Sequence, residues 1–75
     1  MKRTKIEVAL GDGGWIVTRE GFGRDSTHHT KEAATKRAVK LARDKQPSQL
    51  IIRRADGSVQ DTRTYGVDIK RILKL

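Results

Sequence analysis

From Thr4 to Leu10 apolar and polar residues alternate, with Ile6, Val8 and Leu10 on one side and Lys5, Glu7 and Ala9 on the other. That period of two is the mark of a half-buried strand. The run "GDGG" then interrupts it. A two-residue turn at Asp12-Gly13 sets Gly11 against Gly14, Leu10 against Trp15 and Val8 against Val17, so the apolar sides of two strands coincide and a hairpin is predicted.

The segment "EGFGRDST" is polar and broken by glycine, with room for a short strand over 25–29, and Phe22 is expected to fold back over the core as a lid. From Thr30 the period lengthens. Thr30 is suited to cap a helix, Glu32 stands in its first turn, and Ala34, Ala38, Leu41 and Ala42 form one stripe, so the spacing predicts a helix to about Lys45. Alanines on that stripe let the helix lie close to a sheet, and Pro47 helps to end it.

"QLIIRRADGSVQDTRTY" reads as a second hairpin about Asp56-Gly57, with Leu50, Ile52 and Val59 on a common face. This register sets Asp61 opposite the apolar Ile52, a misfit that a longer loop with a bulge would relieve. The ending "VDIKRILKL" reads as a strand aligning Val67, Ile69, Leu73 and Leu75, or as a helix capped by Asp68 that gathers Ile69, Ile72 and Leu73; helix is favoured. The pattern predicts an α+β fold of ββαββ order: an antiparallel sheet of two β-hairpins with one amphipathic helix packed on one face. A short extra strand before the helix and a short C-terminal helix are options. Residues 1–66 form a single α+β domain on this reading, and 67–75 a C-terminal extension able to dock.

Composition changes the picture in two ways. The chain of 75 residues holds 17 Lys and Arg against 9 Asp and Glu, a formal net charge of +8, which attracts polyanions, nucleic acid first. Aromatic residues are scarce, so base-stacking platforms are poorly supplied and contact with a duplex backbone is favoured over a grip on single strands. A chain this short buries only about 60% of its unfolded surface, so a partner or a second copy would help. No cysteine is present, which removes disulfides and thiolate metal sites and suits a reducing compartment. With no apolar run of membrane-spanning length and no secretory leader pattern, a cytoplasmic location is expected.

The blocks "WIVTREG", "RDSTHHTKEAA" leading into an alanine-rich basic helix, "LIIRRADG" and "TYG" resemble the small bacterial domain-of-unknown-function family 2188, from about Trp15 to Gly66. The resemblance implies a compact α+β domain and supplies no activity. "VDIKRILKL" departs from that family's usual loose, polar ending. The layout is also faintly similar to partial ribonuclease-H-like antitoxin domains, in which a glycine-turned hairpin with an aromatic residue precedes a Thr-capped "EA" helix. Such antitoxins lack an acidic active site, and no acidic constellation is evident in this chain.

His28 and His29 are the first residues to suggest chemistry. Neighbours on extended backbone point to opposite faces, and no third histidine or cysteine exists to complete a metal site. Ser26 and Asp25 are close in sequence but form no recognised triad. "GDGGW" lacks phosphate-loop spacing and precedes a strand instead of a helix, and Asp12 and Asp56 are turn formers. No catalytic, cofactor or metal role is therefore assigned, and a non-enzymatic protein is expected. The basic set remains: Lys36, Arg37, Lys40 and Arg43 on one helix side, with Arg53, Arg54 and Arg63 on the second hairpin, are candidates to contact DNA or RNA phosphates. The competing reading is a solvated face, with Glu32-Lys36 and Lys40-Asp44 as ordinary i,i+4 pairs. A further reading is a protein-interaction or homo-oligomerisation module docking through Ile69, Ile72, Leu73 and Leu75.

Overall fold

The computed structural model describes residues 3–66. They form β1 (Thr4–Gly11), β2 (Gly14–Arg19), β3 (Gly23–His28), α1 (Lys31–Asp44), β4 (Ser48–Arg53) and β5 (Val59–Tyr65). The strands make one sheet in the order β3-β2-β1-β4-β5, in which β1 and β4 run parallel and every other neighbouring pair runs antiparallel. The expected antiparallel sheet of two hairpins is thus corrected to a five-stranded mixed sheet with one helix.

The correction follows from counting strands before the helix. With two strands there, the helix would deliver the next strand antiparallel to the first. The "GRDSTH" segment instead makes a full third strand, so the chain enters α1 from the other end and β4 comes out parallel to β1, Thr4 beside Ser48 and Val8 beside Ile52. β3 contains no large apolar residue, so the alternation that betrays a half-buried strand is missing from it.

The first hairpin has the register read from its pattern, Gly11 to Gly14, Leu10 to Trp15 and Val8 to Val17. Gly14 also has a second duty, because a Cβ there would lie 2.4 Å from the carbonyl oxygen of His28, and its φ of +135° is one that side-chain-bearing residues rarely adopt. The second hairpin closes through a longer loop than two residues. Arg54 donates its N–H to the carbonyl of Ser58 and Gly57 donates back to that of Arg54, while a bulge shifts the register between Ile52 and Arg53. The two irregularities offset each other, and Asp61 still faces Ile52.

Thr30 caps α1 by accepting the Ala33 N–H at 3.1 Å, and Ala34, Ala38, Leu41 and Ala42 are its buried residues. They close over Ile6, Val8, Val17, Leu50 and Ile52, which are almost fully shielded from water. Buried Ser48 spends its hydroxyl on the carbonyl of Ala42, fastening the end of the helix to the start of β4. Phe22 is no lid: it is 62% exposed, with the Arg19 guanidinium 4.1 Å from its ring centroid. Leu10 is also exposed, at 46%. The strand or helix reading of the C-terminal segment, and the docking residues Ile69, Ile72, Leu73 and Leu75, lie outside the described residues.

Candidate functional site

The helix wheel divides the basic residues of α1. With Ala34, Ala38, Leu41 and Ala42 turned to the sheet, Lys36, Lys40 and Arg43 fall near the opposite side and are exposed. Arg37 lies at the flank instead and reaches β3. Its Nε donates to Asp25 Oδ2 at 2.8 Å and its Nη2 to Oδ1 at 3.1 Å, the bidentate form in which guanidinium and carboxylate fit best. The Asp25 side chain is only 9% exposed, and the hydrogen bond from Arg37 holds its carboxyl below the ordinary value of 3.8, against the opposing effect of burial and with help from Ser26.

Around Asp25 the sequence neighbours do meet. Ser26 donates its hydroxyl to Asp25 Oδ2 at 2.9 Å, and its oxygen is 2.8 Å from His28 Nε2. A hydroxyl has a single proton, and an ionised Asp25 has none to give, so His28 is the donor and Ser26 the acceptor in the second bond. That is the reverse of a base drawing a proton from a nucleophile. The cluster ties strand to helix. His29, one residue on, is exposed.

The three basic residues of the second hairpin go three ways. Arg53 is on the face away from the helix, 3.3 Å from Glu7 Oε2, and also donates to the Gly57 carbonyl. Arg54 is spent within the hairpin end on Ser58 Oγ and the Val59 carbonyl. Arg63 is on the helix side, where its Nε donates to Asp61 Oδ2 at 2.9 Å. The seven candidates therefore do not form one surface. Neither Glu32 with Lys36 nor Lys40 with Asp44 closes to an ion pair; among the described residues the ion pairs are Arg37–Asp25, Arg53–Glu7 and Arg63–Asp61.

Between α1 and β5 the structure opens a groove of about 550 Å³. Its floor is Val39 and Ile52, and its rims are Lys31, Glu32, Thr35 and Lys36 on the helix and Gln60, Asp61 and Arg63 on the strand. It exists because α1 packs on the four strands from β3 to β4 and stops short of β5, whose residues from Val59 to Thr64 are all exposed. Reading the sequence for basic side chains missed this groove. Its signal was already present in the misfit of Asp61 opposite Ile52: an acid on the core side of a strand means that the core ends there.

No helix among the described residues is long and apolar enough to cross a membrane. No curated protein and no solved structure matches the chain. Over residues 6–65 it matches the model of the DUF2188 family, described as an uncharacterized protein conserved in bacteria, and the chain belongs to that family.

Proposed function

We propose that this DUF2188 member is a binding module, not an enzyme, that meets the phosphate backbone of duplex nucleic acid through the outward side of α1. The observation that carries the reading is the contrast among its cations. Arg37, Arg53 and Arg63 are each held by a carboxylate, whereas Lys36, Lys40 and Arg43 stand exposed on one helix side with no ion-pair partner among the described residues. Charges left uncompensated and turned to solvent attract phosphates and carry no base-reading geometry, so affinity without sequence preference is expected.

The test is a titration of the protein with duplex DNA and duplex RNA at several salt concentrations. Three phosphate contacts give a log-log slope of about −2.7 on B-DNA, which is roughly a fortyfold loss between 50 and 200 mM salt. Reversing Lys36, Lys40 and Arg43 to glutamate should remove the slope along with the affinity. Arg53→Glu, on the other face of the sheet, should change both far less. Absence of binding at 50 mM salt, or affinity indifferent to salt, overturns the reading.

A further inference from the structure

β5 ends the sheet, with β4 on one side and no neighbour on the other among the described residues. Such an edge presents a row of unpaired backbone donors and acceptors to any second strand. The usual deterrents are prolines, bulges and like charges. β5 has no proline or glycine, and its bulge is confined to the loop end. Its charges are Asp61 and Arg63, two residues apart on the same face.

That spacing matters under two-fold symmetry. When a strand pairs antiparallel with its own copy about an axis perpendicular to the sheet, the register is set by the residue on the axis. An axis through Asp61 sets carboxylate against carboxylate, and one through Arg63 sets guanidinium against guanidinium. An axis through Thr62, the midpoint of Val59–Tyr65, sets Asp61 of each copy opposite Arg63 of the other. The register of greatest overlap is thus the one whose charges attract.

We infer that the β5 edge is a homodimer interface, in which two copies pair antiparallel about Thr62 and extend two five-stranded sheets into one of ten strands. Opposed side chains in such a pair stand about 5 Å apart, so Asp61 and Arg63 of both copies join in an alternating square of four charges. With both helices on the same side of the joined sheet, the two grooves floored by Val39 and Ile52 flank that square. The strand pairing itself uses neither Lys36, Lys40 nor Arg43 and so does not rest on the phosphate-binding reading, although Lys36 shares the groove rim with Asp61 and Arg63.

Sedimentation equilibrium on the full chain, from micromolar to millimolar concentration, tests it by charge exchange. The native chain should self-associate as a dimer. Asp61→Arg alone and Arg63→Asp alone, each of which sets like charges across the axis, should raise the dimer dissociation constant at least tenfold. The double exchange, Asp61→Arg with Arg63→Asp, restores the alternation and should return the constant to within about threefold of native. Circular dichroism checks that each variant is folded, as expected for side chains nearly half exposed at 47% and 46%. A native chain monomeric throughout the range, a dimer indifferent to either reversal, or a double exchange no better than the single reversals overturns the inference.

Discussion

β3 and β5 form the two edges of one sheet, and each carries an aspartate and an arginine close by, yet the two pairs are differently made. Asp25 of β3 pairs with Arg37 of the helix, so the ion pair joins one element to another. Asp61 of β5 pairs with Arg63 two residues along the same strand, so that pair joins the strand only to itself. Ser26 and His28 add to the first arrangement, and β2 approaches β3 closely at Gly14. β5 has its ladder to β4 and lies beyond the helix. Tyr65, at the end of β5, packs against the core, but along the rest of β5 no ion pair reaches a second element, whereas the Asp25–Arg37 pair of β3 does.

The largest effect belongs to Gly14→Val. The new Cβ would lie 2.4 Å from the His28 carbonyl oxygen at a φ of +135°, and the clash is with backbone that has no rotamer to yield. Strained backbone plus a displaced β3 should cost about 3 kcal/mol in urea denaturation. Thr64→Val on the exposed β5 should stay within about 0.5 kcal/mol. Similar losses at the two positions would break the comparison.

A smaller effect, and one that depends on pH, is expected at Asp25. Its carboxyl is held below 3.8 chiefly by the Arg37 hydrogen bond, so the native state binds its proton less readily than the unfolded chain does. The resulting stability is fully present above about pH 4 and is lost as pH falls through the depressed value. Asp25→Asn should therefore cost about 1 kcal/mol at neutral pH, a modest figure because Arg37 is 40% exposed and solvent screens the pair. The same variant should differ less from the native protein at pH 3. A deficit unchanged between pH 7 and pH 3 would mean that the carboxylate charge is not what fastens β3.

The same distinction explains how much of the molecule could be read in advance. The first hairpin, the Thr30 cap and the buried stripe of α1 are legible because each depends on neighbours in sequence: a turn, a hydroxyl three residues from the amide it accepts, a period of 3.6. β3 reads in sequence as no more than a short optional strand because its support is distant, Arg37 being twelve positions from Asp25, and that one strand converts an antiparallel sheet into a mixed one. For the same reason Arg37 reads as a free cation in sequence and is none in the structure. The exposure of Lys36, Lys40 and Arg43 is legible because helix geometry alone turns them away from the alanine stripe. The groove is not, since it arises from where the helix stops across the sheet, a quantity set by packing.

The smallest change in intrinsic stability is expected from removing the β5 pair altogether. Asp61→Ala with Arg63→Ala deletes two side chains that are almost half exposed and whose ion pair stays within β5, and such pairs contribute roughly 0 to 0.5 kcal/mol in water. At micromolar dilution, where association is weak, the melting temperature of the double variant should stay within about 3 °C of native. Concentration then separates the two edges further. Pairing that occurs only between folded chains stabilises them by mass action, so the native melting temperature should climb with protein concentration. In the double alanine variant that climb should be much reduced, because the alternating charges that set the register about Thr62 are gone. In Asp25→Asn the climb should persist from a lower starting point, since β3 lies at the other end of the sheet. A native melting temperature that ignores concentration, or a climb lost in Asp25→Asn and kept in the double alanine variant, would reverse the roles assigned to the two edges.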